Sequence, residues 1–138
     1  TTSDGDMKTV DDITQDVYDI VKASPLKEAI HGKLCKTQRP LDSRNEDITV
    51  AVSANLNGQI QEAYVNVNIY VPDLYAEGRY IVDSLRAREL ERLAADLFDV
   101  YNSRNSYRIT LESQTILWFE ANNEHIINNR LLYRQSNE

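Results

Sequence analysis

The sequence predicts an α+β fold: an antiparallel sheet built on a long hairpin, packed by one long helix, with further helices at the N-terminal end. Three observations carry this. Residues 48–56 and 63–71 both alternate with period two and are separated by Asn57-Gly58, the strongest short-range hairpin signal. Residues 85–101 place apolar side chains three and four apart, the spacing of an amphipathic helix. Two more alternating stretches follow, at 107–119 and 125–134. The expected order is α-α-β-β-β-α-β-β in a single domain spanning 1–138, with residues 1–8 disordered.

Each element has a local reason. Thr9 is placed to cap a first helix, with Asp11 and Asp12 in its first turn, where carboxylates oppose the positive end of the helix dipole. Val10, Ile13, Val17, Ile20 and Val21 form its apolar side. Ser24-Pro25 supplies the cap and first residue of a short second helix bearing Leu26, Ala29 and Ile30, with Gly32 as its stop. Lys33 to Lys36 reads as a short strand, and Thr37 to Asn45 as a loop.

In the hairpin, Ile48, Val50, Val52, Ala54 and Leu56 are expected on one face of the first strand, and Ala63, Val65, Val67, Ile69 and Val71 on one face of the second. The opposite face of the second strand carries Tyr64, Asn66, Asn68 and Tyr70. Pro72-Asp73 ends that strand, and Leu74 to Tyr80 reads as a connector. Asp83 or Ser84 opens the long helix, whose stripe runs through Leu85, Leu90, Leu93, Ala94, Leu97, Val100 and Tyr101. The strand from Tyr107 reaches Trp118 or Phe119, with a bulge where Ile116 and Leu117 break the alternation. Asn122-Asn123 makes a turn into the last strand, which sets Ile127, Asn129, Leu131 and Tyr133 on one side.

Composition narrows the function. Of the net charge of −7, residues 1–20 carry −5, because six Asp oppose one Lys. The remainder is nearly neutral, which argues against general affinity for nucleic acid phosphates. No apolar run approaches the roughly 18 residues of a membrane span. The lone Cys35 excludes an internal disulfide and a thiolate cluster, and fits a small apolar strand residue. His31 and His125 lack a ligating residue at helical metal-site spacing, and the four glycines are too scattered for a phosphate loop. Asp11-Asp12 and Glu46-Asp47 suit helix-start and strand-edge roles better than acid–base catalysis. The expectation is a protein with no enzymatic activity, cofactor or metal.

Contact residues are then the candidates. The Tyr64, Asn66, Asn68, Tyr70 face suits a protein partner, since Tyr is favoured at interfaces. Lys36, Arg39 and Arg44 belong to the most basic part of the chain and could meet an acidic partner, including another subunit's N-terminal helix. Tyr75 in the connector is a further contact candidate.

Several phrases resemble a known family: Gln38-Arg39-Pro40-Leu41-Asp42-Ser43 followed by Glu46-Asp47-Ile48-Thr49-Val50, then Val65 to Asp73, then His125 to Leu132. With the order of elements, these look like the tail-terminator, or tail-completion, family of tailed bacteriophages and prophages, and like a prophage-type protein of gut Bacteroidetes. The resemblance runs from about Ile30 onward and includes no catalytic motif. It implies an α+β subunit that forms a ring, often a hexamer, at the head-proximal end of the tail. Its implied partners are itself, tail-tube proteins and connector proteins, with no membrane and no sequence-specific nucleic acid. Its implied location is the host cytoplasm during assembly and then the virion tail. Two alternatives stand beside it: a head-completion or connector protein, and a protein-binding module of a mobile element.

Overall fold

The computed structural model describes residues 7–99 and 107–136. Three helices are described, α1 (Val10–Lys22), α2 (Pro25–Ala29) and α3 (Ser84–Asp99). The strands are β1 (Leu34–Lys36), β2 (Ile48–Leu56), β3 (Ile60–Pro72), β4 (Leu74–Ala76), β5 (Arg79–Ile81), β6 (Tyr107–Phe119) and β7 (Glu124–Ser136). The fold is α+β. Five strands form one sheet in the order β1-β2-β3-β7-β6, antiparallel throughout except that β1 runs parallel to β2.

The helices cover one face of this sheet. Ile13, Val17 and Val21 of α1, Leu26 of α2, and Leu90, Ala94 and Phe98 of α3 meet the inward residues Val65, Val67, Ile69, Ile127 and Leu131 in one buried cluster. Each fully buried aliphatic side chain contributes about 1.5–3 kcal/mol relative to exposure, so this single core carries the fold. The capping chemistry matches the sequence. The Thr9 hydroxyl accepts from the Asp12 N–H at 3.1 Å, and the Asp12 carboxylate accepts from the Thr9 N–H at 3.0 Å. The Ser24 hydroxyl caps α2, and the Asp83 carboxylate accepts from the Arg86 N–H at 3.2 Å at the start of α3.

Several expectations need correction. Neither Asn57 nor Gly58 has positive φ, and β2 and β3 pair only from Leu56 and Glu62 onward, so five residues, 57–61, separate the paired positions; the last two of them belong to β3 and pair with β7 instead. The tight turn with two positive φ values is Glu77-Gly78, at +52° and +80°. It converts the expected connector into the β4–β5 hairpin. The bulge of β6 lies at Glu112, not at Ile116-Leu117. A second bulge, at Ser53, turns β2 over: Ala54 opposes Tyr64 and Asn55 opposes Ala63. Leu56 is therefore exposed rather than inward, while Asn55 faces the helices. On α3, Leu85 is exposed and Phe98 is buried, while Val100 and Tyr101 lie outside the described residues.

Several polar groups on the inner face pair with one another or with backbone. Gln114 donates to the Glu91 carbonyl of α3 at 3.0 Å and to Asn129 at 2.7 Å, and Asn129 donates to the Val67 carbonyl at 3.1 Å. The fully buried Gln61 exchanges hydrogen bonds with the Lys8 backbone at 2.9 and 2.8 Å. Thus the expected disorder of 1–8 does not extend to Lys8; residues 1–6 lie outside the described residues.

Gly32 is not a helix stop. Its N–H donates to the Glu46 carbonyl at 2.9 Å, and an added Cβ would run into that carbonyl and the Asp47 carboxylate. Gly32→Ala should destabilise the protein by about 1–3 kcal/mol, the usual range for overpacking. Urea denaturation checks this; an unchanged midpoint would show that the segment yields freely.

Candidate interaction surface

The other face of the sheet has no helix on it among the described residues. Tyr64, Asn66, Asn68 and Tyr70 share it, as the alternation of β3 requires. All four are half-buried and engaged with their neighbours. The Arg130 guanidinium lies 4.3 Å from the Tyr64 ring centroid, and Arg39 lies 4.0 Å from that of Tyr70. Asn128 donates to Asn66 at 3.2 Å and to Asn68 at 2.7 Å. The face is a braced aromatic–amide ladder and only partly solvated.

The basic residues are not equivalent. Arg39 Nε donates to Asp47 at 3.0 Å, and its Nη1 donates to both Glu124 oxygens at 3.0 and 2.7 Å. Asp47 and Glu124 are 0% and 1% exposed, so Arg39 neutralises two buried carboxylates of its own chain. Lys36 reaches α1, where its ammonium donates to Gln15 and stands 5.1 Å from the Tyr18 ring centroid. Its contact with α1 lies within the chain and involves an amide and a ring rather than the acidic side chains of that helix. Arg44 is exposed, in a cleft it shares with Asp73 and Tyr80. Tyr75 is exposed and packs edge-on against Tyr80, with ring centroids 5.0 Å apart.

Exposed apolar side chains mark three places, of which the sequence reading had singled out Tyr75 alone as a contact. At the hairpin end, Met7, Val10, Leu56 and Ile60 are exposed around the Lys8–Gln61 clamp. At the opposite end of β3, Leu41, Leu74, Tyr75 and Tyr80 are exposed. Leu41 is 93% exposed at the tip of a turn closed by Ser43 N–H to the Pro40 carbonyl. That turn borders an open groove of about 590 Å³ lined by Arg39, Tyr70, Phe119 and Asn122. The third place is the outer edge of β6, where Ile116, Leu117, Trp118 and Phe119 are all exposed. Four consecutive apolar residues in a strand cannot all be inward, and this was the available sequence signal.

The ionisable groups hold structure together. Burial pushes the Asp47 carboxyl up, but the Ser43 hydroxyl, the Lys33 N–H and Arg39 outweigh it and hold it below the ordinary carboxylate value. Burial and the hydrogen bond to Asp16 push the Tyr133 hydroxyl up, so it remains a neutral donor, at 2.8 Å. Burial also raises Cys35, which disfavours its thiolate. His125 lies 2.6 Å from Asp73, a pairing across 52 residues that spacing could not reveal. Among the described residues no group of three His, Cys, Asp or Glu is placed to hold a metal ion, and no helix is long and apolar enough to cross a membrane. No protein-family model matches the chain, and no curated protein matches it in sequence.

Arg39→Ala would strand two buried carboxylates, and a loss of about 3–5 kcal/mol is expected in urea denaturation. A loss below about 1 kcal/mol would show that water replaces the guanidinium. Because the folded Asp47 carboxyl lies below its unfolded value, its contribution is present above about pH 4 and is lost as pH falls through the folded value. Wild type should therefore lose stability below about pH 4 more steeply than Asp47→Asn. Parallel denaturation curves at pH 6, 4 and 3 test this.

Proposed function

We propose that the chain is a non-enzymatic structural subunit of a phage or prophage tail, which closes into a ring and caps the tail tube at the head–tail junction. It would assemble in the host cytoplasm and remain in the virion tail. The resemblance in residues 38–50, 65–73 and 125–132 supports the family. The observation that carries the ring is the pair of unlike apolar surfaces at the two ends of the sheet. One is built from Met7, Val10, Leu56 and Ile60, the other from Leu41, Leu74, Tyr75 and Tyr80. With 13 residues in β3, they lie about 40 Å apart.

A head-to-tail contact needs two such non-identical patches, and it closes when each step adds a rotation. Asp11 and Asp12 are exposed beside Val10, whereas at the other end exposed Arg44 and Arg79 are balanced by exposed Asp42 and Glu77. Repulsion between two acidic ends therefore disfavours one of the like contacts.

Electron microscopy and light scattering of the purified full chain should show closed rings, favoured at low salt. Replacing Leu41 or Leu56 by Asp should abolish them. In a Cys35→Ser background, a short bis-maleimide should link Leu41→Cys/Leu56→Cys chains into a ladder, while either single replacement gives no linked dimer. A strict monomer at low and high salt, or linking by one single replacement alone, would overturn the unlike-end contact. Purified rings added to growing tail tubes should stop their extension; unimpeded growth would remove the capping role.

A further inference from the structure

The outer edge of β6 runs lateral to the two ends, and its last residue, Phe119, lines the groove beside Leu41. Among the described residues, Ser113 to Phe119 pair on one side only, with Arg130 to Glu124 of β7, and β6 is the last strand of the sheet. Their second row of backbone N–H and C=O groups faces outward, which is a template for another strand.

Sheet edges are ordinarily blunted by short length, charge, proline or a bulge. The opposite edge follows that rule: β1 has three residues, with exposed Lys33 beside it and Lys36 within it. The first half of β6 follows it too, with exposed Arg108 and the bulge at exposed Glu112. From Ser113 to Phe119 none of these devices is present. The segment has no charge and no proline, and Ile116 to Phe119 are exposed on both faces, with Trp118 61% exposed.

We propose that this edge pairs antiparallel with the same edge of a second copy, about a two-fold axis through Leu117, making one continuous sheet. The segment's self-complementarity selects a second copy over a foreign strand. About Leu117, Ile116 lies opposite Trp118 of the second copy, and Thr115 lies opposite its Phe119. These are cross-strand pairs of β-branched with aromatic residues, which stabilise sheets. Gln114 lies opposite Glu120 of the second copy, so no like charges meet. Pairing with β1 of another copy would instead match seven free residues to three and bring in Lys33 and Lys36. The contact is isologous and independent of the end-to-end contact; the two together would give a double ring of dihedral symmetry.

The test uses the full chain in a Cys35→Ser background with the same bis-maleimide. Leu117→Cys alone should link into covalent dimers at least tenfold faster than Thr110→Cys, which lies on the charged half of the same edge. Leu117→Lys should weaken the two-fold dimer at least tenfold in sedimentation while leaving the circular dichroism spectrum unchanged. Leu41→Asp and Leu56→Asp, which break the end-to-end contact, should leave the Leu117→Cys link intact. Equal linking at positions 117 and 110 would overturn the proposal. So would loss of the link in the end variants, indefinite aggregation in place of a dimer, or a Leu117→Lys chain that still dimerises. An edge occupied instead by another protein's strand would appear as a Leu117→Cys adduct of the wrong mass, which also overturns it.

Discussion

Arg39 is the interaction on which the rest of the structure depends. Its one guanidinium reaches Asp47 at the entry to β2, Glu124 at the start of β7, and the Asn45 carbonyl in the preceding loop. The farthest of them, Glu124, is 85 residues from Arg39 in sequence. A charge this well enclosed is tolerated only with its partners in place, because desolvating two carboxylates alone costs several kcal/mol. The pairing therefore fixes the loop to the sheet. It also holds the turn bearing Leu41 and supplies the cation over Tyr70. Gly32 completes the junction from the other side, since only a residue without Cβ fits against Glu46 and Asp47.

The opposite end is held by different means. Gln61 and Asn55 clamp the Lys8 backbone, the Lys8 ammonium meets Asp16 at 2.7 Å, and Asp16 accepts from Tyr133. Lys8 also stands 4.6 Å from the Tyr107 ring centroid, and that ring stacks on Tyr133. One end is thus pinned by a buried ionic cluster, and the other by amides and a lysine. Between them the inner face is almost wholly hydrocarbon, apart from the Gln114–Asn129 link that ties α3 to the sheet.

Much of the architecture was legible in the sequence, because strand and helix periods and cap residues are local signals. Thr9, Ser24 and Asp83 each cap as their positions require. What escaped was non-local or lay in single-residue irregularities. Period-two reading carries a strand face onward indefinitely, so it cannot see the reversals at Ser53 and Glu112. Asn57-Gly58 looked like a tight turn, yet Ile60 and Gln61 are recruited by β7, which widens the loop. The Tyr64 to Tyr70 face was found correctly as a face, but its internal bracing by Arg39, Asn128 and Arg130 depends on two distant segments, the loop before β2 and strand β7. Arg39 looked like a free surface cation because both its acidic partners are remote along the chain or hidden at a strand start.

The Ser53 bulge has a consequence for how such a surface could arise or vanish. The strand beyond it is three residues long, with Asn55 turned inward and Leu56 outward. Deleting Ser53 would leave the sides as they are, because Ala54, Asn55 and Leu56 already stand opposite Tyr64, Ala63 and Glu62. Drawing Ser53 into the ladder instead, so that each later residue moves on by one place, would exchange leucine and asparagine, take an amide from the Lys8 clamp and give the hairpin end a polar tip. A one-residue slip would thus rewrite that end's chemistry while leaving the core of the sheet untouched. Stickiness at this end is set by strand parity rather than by composition, so relatives with nearly identical residues could differ completely in what they bind.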